Sequence, residues 1–416
     1  MPEQKNKHAK LTHPANGNFG RNEWSFTGTN CDNIKALASV LIAAFSKEIN
    51  CAYIDTHHHK SEEPLMAPSM LKDGAIMEYS NQISYTEFRL NTISDINMQE
   101  WFTQADLILV NGNHHAAANQ VIVIDEKKKS SLEKRMPGLN NIKLVLLADG
   151  VTEPFDFVQE SLAAKARAIA SREEQSYEQE RGRSNAGANQ TAILSINDHE
   201  GVINFFRQEI QQSRPPLFGL VLAGGKSQRM GLDKTGLTWH GKEQRYHLAD
   251  ELKKYCAEVY ISCREDQQSD IVGGYKSIPD SFTGLGPYGA ILSAFREYPD
   301  SAWLVLASDL PLLTGKTIEY LVANRVRKSV ATAYAQPQSG KPEPLIAIWE
   351  PKSYPVLLSF LSRGYSCPKK VLQHSVVSLL QATHASELMN VNTPEEKDLA
   401  TKLLLAQNQG HHEGNN

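Results

Sequence analysis

The stretch LAGGKSQRMGLDK (222–234) concentrates groups suited to holding phosphate. Gly224 and Gly225 have no side chain, so their backbone N–H groups can approach an anion closely. Lys226, Arg229 and Lys234 put three cations within nine positions. Such a set neutralises a triphosphate and the charge that develops as pyrophosphate departs. It is not a P-loop, which needs a glycine where Leu220 stands; Gly219 comes one residue too early, and FGLVLA before it is strand-like. On composition alone, a solvated basic loop after a strand is an equal reading.

Two carboxylates stand where apolar runs end. Asp280, in SIPDSFTGLGPYGAI (277–291), precedes a turn in which Gly284, Gly286 and Gly289 allow close backbone approach; an ordinary strand-to-helix turn is the other reading. Asp309 closes LVLASDLP (304–311). A strand-end aspartate of this kind either caps the next turn or holds Mg²⁺, which favours one or two carboxylates plus phosphate oxygens. In NVNTPEE (390–396), Thr393 and Pro394 read as the cap and first position of a final helix.

LAGGKSQRMGLDK resembles the signature LAxGxSxRMGxxK of nucleotidyltransferases that activate sugars and cofactors. Within them it is most similar to the molybdenum-cofactor guanylyltransferases (MobA-like), which carry LAGG where cytidylyl-transferring relatives tend to carry LAAG. The similarity runs over about 217–405 and takes in GKPEPLIAIW (340–349), YSCPKKVL (365–372) and NVNTPEE. The resemblance implies transfer of GMP from GTP to molybdopterin with Mg²⁺ as cofactor and pyrophosphate as leaving group. It implies GTP contacts from Leu222, Ala223, Gly224, Gly225, Lys226, Lys234, Asp280 and Asp309, catalytic roles for Arg229, Lys234 and Asp309, and Asp309 as metal ligand. On the acceptor side it implies Lys341, Glu343, Lys370 and Asn392. Two departures stand out. The usual arginine near Lys369 and Lys370 is not evident, and Cys263 stands where relatives commonly have a nucleotide-contacting Asn. A thiol does not reproduce an amide's paired donor and acceptor.

The first half is similar to the GTP-binding partner protein of the same pathway (MobB-like), a P-loop-type fold. CAYIDTHHHK (51–60), ADLILVNGNHH (105–115) and LSINDHEGVINFF (194–206) carry the likeness, over roughly 21–212. Its chemistry is missing. TGTNCDNIKAL (27–37) keeps only Gly28 of the phosphate loop, and Asn111 replaces an acidic residue. This half is therefore expected not to hydrolyse GTP and to act as a docking or scaffold module. His57, His58 and His59, with His114 and His115, read as loop histidines, because a contiguous triplet cannot aim every ring at one ion.

These residues need strands to present them, and the chain supplies alternating strand and helix patterns. EWSFTG, CAYIDT, ADLILVNG and IKLVLLADG in the first half, and FGLVLAGG, EVYISC and AWLVLASDLP in the second, are apolar runs ending in polar residues. Buried parallel strands look like this, with functional loops at their carboxyl ends. The expected class is α/β: two three-layer Rossmann-like domains with mostly parallel sheets, the second a nucleotidyltransferase (GT-A-like) fold. Expected boundaries are a disordered tail at 1–20, a first domain at 21–212 with a polar insertion at about 165–190, a linker SRPP at 213–216, the second domain at 217–405 and a polar tail at 406–416.

Across 416 residues the net charge is −4, which argues against a nucleic-acid binder that coats phosphates with Lys and Arg. The five cysteines form no CxxC pair and fit a reducing cytoplasm. The longest apolar stretch, ALASVLIAAF (36–45), is about half what a membrane span needs. Expected partners are GTP, molybdopterin and proteins of molybdenum-cofactor biosynthesis or recipient molybdoenzymes, with no nucleic acid and no membrane. The alternatives are a cytidylyl or sugar-phosphate transferase of the same fold, and a non-catalytic cofactor-handling adaptor.

Overall fold

Continuous apolar strands flanked by amphipathic helices bury both faces of a sheet, and the chain does this twice. The computed structural model describes residues 21–56, 70–90, 100–177, 191–223 and 239–413. It divides into two compact units, Arg21–Ser213 and the segment from Arg214 onward.

The first unit runs β1 (Asn22–Thr27), α1 (Cys31–Phe45), β2 (Cys51–Ile54), β3 (Met77–Asn81), β4 (Thr86–Leu90), β5 (Leu107–Asn111), β6 (Asn119–Ile124), α2 (Lys129–Arg135), β7 (Ile142–Leu147), α3 (Asp156–Tyr177), β8 (Ala192–Ser195) and α4 (His199–Gln212). Its main sheet has the order β2-β5-β1-β6-β7-β8 and every pairing in it is parallel. The strand period of two shows in β6. Val121 and Val123 join α1 and α4 in one core, while Ile122 and Ile124 join α2 and Phe155 in another. Strands β3 and β4 form a separate antiparallel hairpin. The polar stretch from 165 continues α3 as far as Tyr177.

The second unit runs β9 (Leu217–Leu222), α5 (Gln244–Leu252), β10 (Glu258–Cys263), β11 (Lys276–Pro279), α6 (Pro287–Glu297), β12 (Ala302–Ala307), α7 (Gly315–Ala323), β13 (Ala331–Ala335), β14 (Pro342–Trp349), α8 (Ser353–Ser362), α9 (Pro368–Gln373), β15 (Val377–Leu380) and α10 (Pro394–Glu413). The sheet order is β11-β10-β9-β12-β14-β13-β15, and only β14 runs antiparallel to its neighbours. Strand β12 shows the two-sided core. Leu304 and Leu306 pack with α5 and α7, and Trp303 and Val305 pack with α6, α8 and α9.

This is the α/β architecture the sequence pattern implies: layered helices on mostly parallel sheets. None of the described helices is long and apolar enough to cross a membrane. The prolines after Ser213 are fixed to the second unit. Pro216 O accepts from Ala302 N, and Pro215 O accepts from the Arg325 guanidinium. Arg325 also forks onto Glu350 at 2.7 and 2.9 Å, with both side chains almost wholly buried.

Candidate active site

The order of strands decides where a ligand can sit. From β9 the chain goes to β10 and then β11 on one side, and returns to β12 on the other. Crevices at such switch points, outside the carboxyl ends of the strands, are where open α/β sheets bind ligands. The strand ends are laced side by side: Asp280 N bonds Cys263 O (2.9 Å), Ala223 N bonds Ser262 O (3.3 Å) and Ser308 N bonds Leu222 O (3.2 Å). The 222–234 stretch therefore begins at the end of β9, between β10 and β12, with Asp309 just beyond β12 on one side and Asp280 beyond β11, two strands away, on the other.

Gly224, Gly225, Lys226, Arg229 and Lys234 lie outside the described residues. Leu222 and Ala223 are described, and both side chains are buried in the cores. Only their backbone is open to a ligand.

Asp309 is half-buried beside the crevice, with Oδ1 shielded from solvent. Its backbone is held at three successive residues. Asp309 O accepts from Val391 N (2.9 Å), Leu310 O from the buried Gln244 Nε2 (3.0 Å), and Pro311 O from His240 Nε2 (3.0 Å). Because a carbonyl only accepts, the last bond places the His240 proton on Nε2. Gln244 and His240 were silent in the sequence, where neither belongs to a motif.

Asp280 follows β11 and is two strands from β9 on the far side. Burial raises its carboxyl above the ordinary 3.8, partly opposed by a hydrogen bond from Ser262 Oγ at 2.8 Å. The turn after it is pinned by the buried Ser293, whose Oγ accepts from Ser281 N and donates to Gly289 O. Gly286 has a φ of +56°, and a Cβ at Gly289 would lie 2.1 Å from Phe282 O, so this turn requires both glycines.

Asp280 and Asp309 lie three strand spacings apart, about 14 Å at about 4.8 Å per strand.

Removing the Ser262 bond should raise Asp280 further. In Ser262→Ala, an NMR carboxyl titration should show Asp280 ionising at higher pH than in the wild type; an unchanged titration refutes the assignment. With its folded value raised, Asp280 is ionised sooner in the unfolded chain. Its contribution to stability is therefore lost as pH climbs from the ordinary carboxylate range through the raised value, and stays constant above it.

Cys263 is buried at the end of β10, and burial followed by the charge of Asp280 raises its thiol. A neutral thiol thus occupies the place of the expected amide.

The acceptor-side residues divide. Because β14 runs antiparallel to β12, its first residues share the sheet edge of Asp309. Glu343 is buried there, accepting from Gln336 Nε2 (2.6 Å) and Leu345 N (3.2 Å). Gln336 Oε1 in turn accepts from Lys369 Nζ at 2.6 Å. Lys369 is thus the lysine joined to this network, and Lys370 lies 5.2 Å above the Tyr365 ring. Lys341 is exposed in the turn whose Gly340 has a φ of +63°. Asn392 N bonds Glu396 Oε2, while Thr393 Oγ1 caps α10 through Glu396 N.

In the first unit the turn from β1 to α1 is three residues, Gly28 to Asn30. Several of its polar groups are bonded within the unit. Thr29 Oγ1 donates to Asp125 Oδ2, and Asn113 Nδ2 donates to Thr29 O. Gly28, at φ +95°, packs so closely that a Cβ would lie 2.3 Å from Val123 O. His57, His58 and His59 lie outside the described residues. His114 and His115 belong to the loop after β5 and bond Cys31 and Thr56 respectively. Among the described residues no group of three or more His, Cys, Asp or Glu is placed to hold a metal.

The second unit is thus a mostly parallel α/β sheet with a switch point beside β9 and an aspartate, Asp309, whose backbone is fixed next to it. Comparison with known proteins agrees. The MobA-like NTP transferase domain matches residues 219–391. A molybdenum cofactor biosynthesis bifunctional protein of Synechocystis sp. is 34% identical over 185 residues, 44% of this chain and 53% of that protein. The chain thus spans about half the length of that relative. A probable molybdenum cofactor guanylyltransferase of Nostoc sp. is 30% identical over 183 residues, 43% of this chain and 88% of that protein. A molybdenum cofactor guanylyltransferase of Shewanella sp. is 29% identical over 191 residues, 44% and 95% respectively. The chain belongs to the MobA-like NTP transferase family.

Proposed function

We propose that the second unit is a guanylyltransferase that moves GMP from GTP to molybdopterin and releases pyrophosphate. The observation that carries this reading is the immobilised Asp309 at the switch point, beside the strand from which LAGGKSQRMGLDK departs. The names of the relatives support the choice of substrates.

In this reading the backbone of Leu222 to Gly225 cradles the nucleotide, and Lys226, Arg229 and Lys234 neutralise the triphosphate. Asp309 fits Mg²⁺: it is a single partly shielded carboxylate, and this ion is commonly held by one or two carboxylates with substrate phosphates completing the set. When bound, Mg²⁺ would supply charge neutralisation at the phosphates. The terminal phosphate of molybdopterin attacks the α-phosphorus, and pyrophosphate leaves. An ionised phosphate needs no strong base, so positioning and electrostatics account for the catalysis. Asp280 meets the nucleotide away from the metal, and the Glu343, Gln336 and Lys369 network lies toward the acceptor. The first unit, with its short and internally bonded turn, does not hydrolyse GTP in this reading. The cytoplasm is the expected compartment, in keeping with five free thiols.

Purified protein incubated with labelled GTP and molybdopterin should form a dinucleotide and release pyrophosphate. Cys263 in place of Asn favours testing a second base in the same assay, and consumption of CTP without GTP would replace guanylyl by cytidylyl transfer. Lys234→Ala should lower kcat/KM about a hundredfold, with part of the loss in kcat, since its charge matters most as the leaving group develops. A loss confined to KM would reduce Lys234 to ground-state binding.

A further inference from the structure

A second cluster of reactive side chains lies at the carboxyl edge of the first unit, outside the nucleotide site. Cys31 is the first residue of α1, behind the N-cap Asn30. Its Sγ is 3.6 Å from Nε2 of His114, a residue 83 positions away in the loop after β5. Asn113 Nδ2 also reaches the sulfur, at 4.0 Å. Asp55, at the end of β2, is near enough for its charge to interact with that of His114. Burial opposes its ionisation, but hydrogen bonds from Tyr53, Thr56 and Asn111 and the charge of His114 more than offset this, holding the carboxyl below its ordinary value. Three elements thus bring together a thiol, an imidazole within hydrogen-bonding reach and a carboxylate that favours the imidazolium.

A nucleophile beside a base that a third group supports is the arrangement of an activated thiol. The positive end of the α1 dipole adds to it. The other four cysteines provide the contrast. Burial pushes the Cys256 thiol up to about 12, and Cys263 is buried and likewise raised. Cys51 donates weakly to Ile49 O, and Cys367 is exposed. Cys31 and His114 are both half-buried, within reach of a small molecule.

We propose that Cys31 and His114 form a thiol–imidazole pair that takes low-molecular-weight disulfides by thiol–disulfide exchange. With Nε2 as acceptor, the Cys31 proton passes to His114. The thiolate attacks one sulfur of the disulfide, the S–S bond breaks and a mixed disulfide forms on Cys31. The departing thiolate takes the proton from His114. The disulfide is the only oxidant required. Among the described residues, the charged and titratable groups around the pair are His115 from the loop after β5, Tyr53 and Asp55 from β2 and its end, and Asp32 on α1 itself.

The test uses the full chain and glutathione disulfide at neutral pH, with each cysteine followed by peptide mass spectrometry. Cys31 should form the mixed disulfide about tenfold faster than the exposed Cys367, because a base stands beside its sulfur. His114→Gln, with native circular dichroism, should bring Cys31 down to the rate of Cys367. The wild-type rate at Cys31 should persist below pH about 8, where an ordinary thiol of about 8.5 is mostly protonated. That third measurement needs no variant. A wild-type Cys31 that reacts no faster than Cys367, a rate unchanged in folded His114→Gln, or a pH profile like that of Cys367 would each overturn the proposal.

Discussion

Asp309→Asn should lower guanylyl transfer about a thousandfold while leaving the fold and the position of residue 309 unchanged. The substitution keeps the volume of the side chain and removes its charge. The bonds that fix this segment, from Val391, Gln244 and His240, all go to backbone carbonyls of Asp309, Leu310 and Pro311. They do not depend on the carboxylate and survive the change. What is lost is the charge of the proposed metal ligand, and with it several kcal/mol of charge stabilisation in the transition state. A loss of about 4 kcal/mol corresponds to about a thousandfold. Asp280→Asn, about 14 Å away by strand spacing, should be milder and act chiefly on nucleotide binding. Pyrophosphate release that is unchanged in Asp309→Asn would remove the proposed metal role and favour the non-catalytic adaptor.

Glu350→Ala should destabilise the second unit by about 3–5 kcal/mol. Arg325 is buried with its guanidinium forked onto Glu350 and its remaining donors on Pro215 O. Truncating the glutamate leaves a buried cation with a carbonyl as its acceptor and no counter-charge. The double variant Arg325→Met with Glu350→Leu removes both charges at similar volume and should regain most of the loss, because a buried pair offsets its own desolvation only when complete. Urea unfolding followed by the fluorescence of the buried Trp303 and Trp349 reads both variants. A Glu350→Ala change below about 1 kcal/mol would show that the pair is solvated and that its geometry carries little energy.

The local half of this protein is written in its sequence. Strands β9, β10 and β12 are apolar runs because both faces of the sheet are buried, and each ends where a polar loop begins. The glycines at 284, 286 and 289 mark a turn, Thr393 and Pro394 mark the start of α10, and the missing lysine and glycine after Gly28 are visible by inspection. Periodicity, capping and turn chemistry involve residues a few positions apart, so a linear reading recovers them. Strands β6 and β13 and the β3–β4 hairpin have no counterpart among the sequence expectations, since short apolar runs do not announce their partners.

The tertiary structure decided everything that depends on strand order. Only the sheet places β12 on the opposite side of β9 from β10, which separates Asp280 from Asp309. Only the reversal of β14 carries Glu343 to the edge of Asp309 and lets Gln336 and Lys369 join it. Gln244 and His240 support the aspartate from about 70 residues away in sequence, and Cys31 meets His114 across 83. The physical reason is the same in each case. A crossover can return the chain to either side of an existing sheet, and the choice is made by the packing of whole helices and strands, which no short window of residues contains.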